Sequence, residues 1–299
     1  MNGCRRGKRT DPRGLRGLGY VTLAVALFAT SPVLVRWAAP LSPFEITFGR
    51  MAVAALAVGV FARCQGGQST GAGSGLRQII PAPRFGLYGL IAALHFLLYI
   101  ASLSFTTIAH SLALVYTAPV FVTLFASLFL GERLRRRQWL GIPVVVAGIA
   151  VLTGFEPRMD ARMALGDVLA LGSAVCFGLY SVAGRRERAA YPLLRYASAV
   201  YLAAALWLLP AAALGGSGAF TWPALGAVVC LGVLPLAIGH TLYNASLRRV
   251  HPTYVNLVST QEVTGGILLG YVLLGETPGS EALVGAGLSL AGVALVLLL

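Results

Sequence analysis

A single carboxylate inside a long apolar stretch is the feature of this sequence most able to do chemistry. Glu262 lies in NLVSTQEVTGGILLG, midway along a run that is otherwise apolar or uncharged. A charged side chain at the centre of a bilayer costs about 2.5–3.5 kcal/mol, and it is tolerated where it faces a cavity or a partner. Glu262 is therefore predicted either to bind a proton or the amine of a solute, or to hold helices together as a protonated or paired group.

Arg50 is the second charge placed within an apolar run, in FGRMAVAALAVGVF. A guanidinium is well suited to bind a carboxylate through two parallel hydrogen bonds. The alternative is a structural tie from Arg50 to Glu45, to Glu262 or to helix carbonyls. Both interpretations require that Arg50 face the protein interior and not lipid.

Polar side chains recur at helical spacing near these two charges. His95, Tyr99 and Ser102 fall at i, i+4 and i+7, which is one face of a helix. The other candidates for a polar cavity lining are His110, Tyr116, Thr117, Ser173, Phe177, Tyr180, His240, Tyr243, Asn244, Asn256, Ser259 and Thr260. Interhelical hydrogen bonding, worth roughly 0.6 kcal/mol per bond, is the alternative for each of them.

The composition predicts that these side chains belong to an integral membrane protein. The chain has 299 residues, of which 57% are hydrophobic and 11% charged, and its mean hydropathy is +0.79. Soluble domains carry roughly 25% charged residues. Cys4, Cys64, Cys176 and Cys230 form no CxxC or Cys/His cluster, so no metal site, disulfide framework or cofactor is expected.

About 20 mainly apolar residues are needed to cross a bilayer as a helix. The sequence offers ten such segments, and the fold class is therefore predicted as all-α, with ten transmembrane helices. They are 17–38, 43–62, 85–104, 107–130, 138–154, 165–185, 191–214, 222–243, 252–274 and 280–299.

The basic residues support this division and predict its orientation. With the amino terminus inside the cell, 19 of the 23 Lys and Arg residues lie in inside segments, three lie in outside segments, and Arg50 lies within a span. Lys and Arg collect in cytoplasmic loops. Both termini are therefore predicted to be cytoplasmic, and the net charge of +13 is explained without a nucleic-acid partner.

The second half of the chain repeats the first. At a fixed shift of 144 residues, sixteen of 66 positions between Leu87–Leu152 and Leu231–Val296 are identical, including Gly131-Glu132 against Gly275-Glu276. The first two helices of each half align at a shift near 149. The predicted organisation is a basic cytoplasmic tail (1–16), a first five-helix repeat (17–154) and a second one (165–299).

An odd number of spans per repeat predicts that the second copy is inverted in the membrane. This orientation explains why the segment after Glu132 carries four arginines while the segment after Glu276 carries none. Inverted repeats are typical of secondary transporters, whose substrate site lies near the midplane between the halves. A central cavity between the two repeats is therefore expected.

The sequence also resembles a known family. HSLALVYTAPVFVTLFASLFLGERLRRRQWLGIPVVVAGIAVL, its second-half counterpart, SPFEITFGR and GDVLALGSAVCFGLYSVAGRR are similar to the EamA-type repeats of the drug/metabolite transporter superfamily. The resemblance implies a ten-helix transporter that moves small metabolites, amino acids or drugs by alternating access. It also marks Arg50 as a feature shared by carriers of different cargo, which favours the structural interpretation of that residue.

Two departures separate the halves: Val263 stands where the first repeat has Pro119, and Ala199 stands where it has Arg50. The first predicts that the two halves bend differently. Glu132 and Glu276 lie at opposite membrane faces in this topology. They are predicted to cap the following helix or to anchor a loop rather than to serve the central site.

The resulting hypothesis is a multi-pass transporter of the bacterial-type inner membrane. It moves a small organic solute, with export as the expected direction and proton coupling through Glu262. A passive facilitator or membrane sensor is the alternative. A membrane-embedded enzyme is less favoured because no HExxH, GxSxG or phosphate-loop motif occurs. The sequence leaves open whether the protein works as a monomer or a homodimer.

Overall fold

The described part of the chain is mainly helical. The computed structural model describes residues 12–65, 83–131, 136–154, 159–187, 190–247, 249–250, 255 and 258–299. No β-strand occurs within these ranges, which confirms the predicted all-α class. The α-helices are α1 (Pro12–Ala29), α2 (Ser31–Trp37), α3 (Pro43–Gln65), α4 (Arg84–Phe105), α5 (Ile108–Val115), α6 (Ala118–Leu130), α7 (Gly141–Gly154), α8 (Ala161–Glu187), α9 (Leu193–Leu214), α10 (Trp222–Leu231), α11 (Thr241–Leu247), α12 (Gln261–Leu274) and α13 (Ser280–Leu298).

Seven helical stretches are long and apolar enough to cross a membrane. They are Gly14–Trp37, Pro43–Cys64, Arg84–Phe105, Ile108–Leu130, Ala161–Glu187, Leu193–Leu214 and Trp222–Ser246. Three shorter apolar helices, Gly141–Val151, Gln261–Leu274 and Ser280–Val296, lie where the fifth, ninth and tenth spans are predicted. The chain is thus a multi-pass membrane protein, and the count of ten spans stays a prediction.

Several of these stretches are interrupted near a proline. The first is divided at Thr30, before Pro32 at the start of α2, and the fourth is divided between α5 and α6, before Pro119. In the eighth, a π-helical segment, Gly232–His240, contains Pro235. Proline removes one backbone donor, and π-bulges are a common way for a helix to accommodate the loss.

The ninth stretch is interrupted without a proline. α12 begins at Gln261, directly after a turn at Thr260, which is the repeat equivalent of Tyr116 at the end of α5. The helix is therefore interrupted at equivalent positions in the two halves, although the sequence predicted that the halves bend differently. Because Val263 can supply its backbone N–H, it donates to Thr260 O at 3.1 Å, which Pro119 cannot do in the first half.

Glycines bring α7 and α13 into close contact. A Cβ atom built on Gly148 would lie 2.4 Å from the backbone N of Ser289, and one on Gly292 would lie 2.5 Å from the backbone N of Val145. Both distances are too short for any residue larger than glycine. Small residues are typical of membrane helix interfaces because they allow backbones to approach.

The remaining contacts also come in pairs that exchange the two halves. α4 packs on α8 just as the π-helical segment and α11 pack on α1, and α6 packs on α8 just as α12 packs on α1. The pairs α3–α9 and α7–α13 join equivalent helices of the two repeats. Cavity residues carried by equivalent helices are consequently brought to one central place.

Glu276 joins the two halves at the end of the molecule where α4 ends. Its Oε1 accepts a hydrogen bond from the backbone N–H of Ile108, and its Oε2 lies 3.3 Å from Nη2 of Arg36. Arg36 also donates to the carbonyls of Leu103 and Thr106. Glu276 therefore caps α5, a helix of the other repeat, whereas the sequence predicted that it caps the helix that follows it or anchors a loop. Glu132 lies outside the described residues.

Candidate substrate cavity

A cavity lies between the two halves, where the interrupted helices meet. It is lined by Phe28, Ser31, Arg50, His95, Phe96, Tyr99, Val115, Tyr116, Ala118, Pro119, Phe177, Pro235, His240, Tyr243, Ser259 and Glu262. About 60 Å³ is open to the centre of a water molecule. The volume that the waters themselves occupy is larger than this, so the space exceeds the roughly 10–15 Å³ that one water fills. The cavity therefore suits a small solute.

The lining is built from repeat-related positions. At the shift of 144 residues, Phe96 corresponds to His240, Tyr99 to Tyr243, Val115 to Ser259 and Ala118 to Glu262; at the shift of 149, Phe28 corresponds to Phe177. Both members of each pair line the cavity. These lining positions are thus shared by the two halves, whereas the charges are not. The repeat equivalent of Glu262 is Ala118, and that of Arg50 is Ala199.

Glu262 is buried at the start of α12, with 7% of its surface exposed. The hydroxyl of Tyr116, in the break between α5 and α6, donates a short hydrogen bond to its Oε2. A hydroxyl donor stabilises the charged form of a carboxylate, and burial favours the protonated form. Glu262 is consequently placed to exchange a proton or to hold a cationic group, with Tyr116 as its donor.

Arg50 is 1% exposed, and its guanidinium lies over the ring of Phe96, 4.6 Å from the ring centroid. Within the described part of the chain, its Nε and Nη1 atoms have no hydrogen-bond partner, and it forms no salt bridge. A cation–π contact contributes about 0.5–2 kcal/mol, against an effective penalty of several kcal/mol for burying an ion. The contact with Phe96 therefore does not offset the burial of this charge.

Glu45 does not serve as a partner for Arg50. Its Oε2 accepts hydrogen bonds from the backbone N of Ser42 at 2.7 Å and from the backbone N and hydroxyl of Ser217 at 2.9 and 3.0 Å. These bonds tie the start of α3 to the segment after α9. The structural tie between Arg50 and Glu45 that the sequence suggested is therefore not formed.

His95 and His240 reach the cavity from α4 and from the π-helical segment. Nδ1 of His95 lies 3.0 Å from the carbonyl oxygen of Ser173, and the Ser173 hydroxyl donates to the carbonyl of His95 at 2.9 Å. Because a carbonyl only accepts, the first contact assigns the ring proton to Nδ1. His240 packs between Phe28 and Phe96, with ring centroids 4.7 and 5.5 Å away.

Seven of the predicted lining residues do not line the cavity: Ser102, His110, Thr117, Ser173, Tyr180, Asn244 and Thr260. Ser102 is fully buried and bonds to the Ser111 hydroxyl at 2.6 Å, Tyr180 packs in the aromatic core, Asn244 donates to the carbonyl of His240 at 2.7 Å, and Thr260 is buried in the turn before α12. Asn256 lies outside the described residues. Helix-face spacing alone cannot separate a side chain that lines the cavity from one that packs against the next helix.

The sequence patterns did not identify seven of the lining residues, which are Phe28, Ser31, Phe96, Val115, Ala118, Pro119 and Pro235. Phe28 and Ser31 lie on either side of the break between α1 and α2. The available signals were Pro32, which marks that break, and the repeat relation between Phe28 and Phe177. Apolar lining residues carry no polar signature, so spacing of polar residues could not find them.

A second buried polar cluster lies outside the cavity. Asp167 in α8 accepts a hydrogen bond from the hydroxyl of Thr106 at 2.9 Å, and its Oδ2 lies 3.0 Å from Nδ1 of His110. All three residues are at most 6% exposed. His110, a candidate for the cavity from sequence, therefore joins α5 to α8, and the cluster fastens the junction of α4, α5 and α8.

Comparison with known proteins decides the family. The profile of the EamA-like transporter family matches residues 15–154 and 164–298, which together make up most of the chain. The chain belongs to the EamA-like transporter family. A solved crystal structure with 23% sequence identity has the same fold as this EamA-like chain, with a TM-score of 0.67 over 95% of both chains.

Several curated relatives of this EamA-like protein are exporters by name. A "Probable terminal-alkyne amino-acid exporter" of Streptantibioticus cattleyicolor is 34% identical over 61% of the chain and 62% of the relative. The threonine/homoserine exporter RhtA of Salmonella typhimurium is 25% identical over 64% and 62%. The pseudopaline exporter CntI of Pseudomonas aeruginosa is 30% identical over 57% of each chain. The matches thus cover about three fifths of each of these relatives.

Proposed function

We propose that this protein exports a small organic solute of the metabolite or amino-acid class by alternating access, with Glu262 coupling export to protons. The observation that carries the proposal is the position of Glu262, buried in a cavity lined by equivalent residues of both repeats. Membership in a transporter family supports transport, and the names of the relatives support export. An ionisable residue buried in a membrane helix and facing a cavity is typical of proton relays in transporters.

The proposed mechanism is an exchange at one carboxylate. Glu262 binds a proton in the state open to the outside and releases it in the state open to the cytoplasm, where a cationic group of the solute replaces it. Proton and solute then compete for the same oxygen atoms, so that inward movement of protons drives outward movement of solute. Two halves of similar packing allow the open side to change without rebuilding the cavity.

The proposal includes an inverted arrangement of the two repeats in a bacterial-type cytoplasmic membrane, with both termini inside. The exchange of helix contacts between the halves and the excess of basic residues on one side support it.

We expect a cysteine replacing Arg137 to react with a membrane-impermeant maleimide only in inverted vesicles, and one replacing Gly279 only in intact cells. Reaction of both cysteines from the same side would contradict the inversion. Both variants carry serine in place of the native cysteines.

Replacing Glu262 by Gln is expected to abolish the response of export to a pH gradient. Gln keeps the shape and the hydrogen bond with Tyr116 but can neither bind nor release a proton. The measurement is efflux of radiolabelled alanine or threonine from proteoliposomes, with and without an imposed proton gradient. The gradient drives protons in the direction opposite to solute export. Glu281→Gln, in the first turn of α13 and away from the cavity, should respond like the unaltered protein.

An unchanged gradient response in Glu262→Gln would remove proton coupling from the proposal. The same assay separates the alternatives. A passive facilitator would equilibrate the solute without accumulating it against its concentration gradient, and a sensor or an enzyme would give no flux of intact solute.

A further inference from the structure

Arg50 is a buried guanidinium whose hydrogen-bonding capacity is only partly used. Nε and Nη1 have no partner within the described residues, and the residue lines the cavity. The contact with Phe96 uses the flat face of the guanidinium. Its N–H groups lie in the plane of that group, so stacking leaves them free to bind a ligand.

A ligand that meets these N–H groups must be a planar or tetrahedral anion. Arginine matches a carboxylate through two parallel hydrogen bonds, which gives both strength and a fixed orientation. A phosphate would fit the fork as well. However, the same cavity holds the acidic Glu262, which opposes a doubly charged anion. The carboxylate is therefore favoured.

The second charge of the cavity selects the opposite end of the ligand. Glu262 can hold an ammonium group, and it belongs to the other repeat. Because the equivalent positions are Ala199 and Ala118, the frame has one positive and one negative site with no duplicates. A zwitterion would bind such a frame in one orientation only.

We propose that Arg50 binds the carboxylate of the transported solute, so that the cargo is a small amino acid whose ammonium group is held by Glu262. This inference rests on the proposed function, because it takes the solute held in the cavity to be the one transported. It replaces the structural role of Arg50 that was favoured from sequence. Arg50 is then a specificity-determining residue, and the apolar side chain of the cargo packs against the aromatic lining.

The test compares three ligands by calorimetry on the purified full chain in detergent. The probe is the tightest binder among the twenty standard amino acids, compared with the amine made by its decarboxylation and the acid that lacks its amino group; for alanine these are ethylamine and propionate. Arg50→Met should weaken binding of the amino acid and of the acid by roughly 30-fold or more, because removing one partner of a buried charge pair has this effect. Binding of the amine should change less than about two-fold.

Matched variants separate recognition from folding. Glu262→Gln should give the opposite pattern, weakening the amino acid and the amine while sparing the acid. Arg84→Met removes another arginine that stacks on an aromatic ring, Tyr191, but does not line the cavity, and it should leave all three affinities unchanged. Arg50→Lys keeps the positive charge but cannot form the two parallel hydrogen bonds to a carboxylate. If the Met variant does not fold, the Lys variant should still weaken binding of the amino acid and the acid more than binding of the amine.

Equal weakening of all three ligands by Arg50→Met and Arg50→Lys, or of none, would overturn the assignment. So would the absence of amino-acid binding to the unaltered protein, or tighter binding of inorganic phosphate than of any amino acid. Selective loss of carboxylate ligands in a protein that shows no efflux in proteoliposomes would keep the assignment and reject export. Efflux that is unchanged in Arg50→Met would do the reverse.

Discussion

Replacing Asp167 by Ala is expected to lower the free energy of unfolding by about 3–5 kcal/mol, the cost of removing one partner from a buried polar pair. Asp167 faces the hydroxyl of Thr106 and Nδ1 of His110, and all three are buried away from the cavity. Alanine removes both acceptor oxygens and leaves the buried donors without them. The measurement is unfolding of the purified protein in mixed micelles, followed by helical circular dichroism.

Asp160 provides a matched control seven residues earlier. It lies at the start of the same helix, where its Oδ1 accepts from the backbone N of Met163 at 2.7 Å, and it is exposed. Loss of such a helix cap costs about 0.5–2 kcal/mol. If Asp167→Ala destabilises the protein no more than Asp160→Ala does, the cluster is not a fastening point. Asp167→Asn, which keeps one acceptor, should fall between the two.

Replacing Gly148 by Ala should destabilise the protein by about 1–3 kcal/mol, as expected when atoms are forced into a well-packed interface. The added Cβ would lie 2.4 Å from the backbone N of Ser289 and 2.9 Å from the carbonyl oxygen of Gly285. Backbone atoms of α13 cannot rotate away, so the two helices must separate. Thermal unfolding in detergent measures the loss.

Gly287→Ala is the control for this prediction, because nothing lies within 4 Å of a Cβ built there on the same α13 helix. Alanine favours helix over glycine by about 1 kcal/mol, so this variant should be unchanged or slightly more stable. Equal effects of the two substitutions would show that the α7–α13 contact does not depend on glycine.

Much of the fold was predictable because a bilayer imposes simple requirements on sequence. Apolar length, the distribution of arginines and the 144-residue repeat each depend on local composition. The all-α class and the family were predicted correctly for this reason. Helix interruptions were partly predictable from Pro32, Pro119 and Pro235. The interruption at Thr260 has no proline, and only the packed structure reveals it.

The candidate site was predictable to a smaller extent. Glu262, Arg50, His95, Tyr99 and Tyr116 were identified by charge, polarity or helical spacing, and they line one cavity together with His240 and Tyr243. Ser102 and Asn244 share faces with cavity residues and yet bond within or next to their own helix. The difference depends on how each helix is rotated against its neighbours, and single-helix spacing contains no information about it.

The sequence by itself determined the membrane setting, the repeat and the placement of Glu262 and Arg50 within apolar spans, since each follows from composition and order along the chain. Which side chains contact each other was decided only by the tertiary structure. Tyr116 meets Glu262, Glu276 caps a helix of the other repeat, and Arg50 stacks on Phe96 with N–H groups to spare. Hydrogen bonds and ion pairs act over a few ångströms, and these partners are separated by 46 to 168 residues of chain.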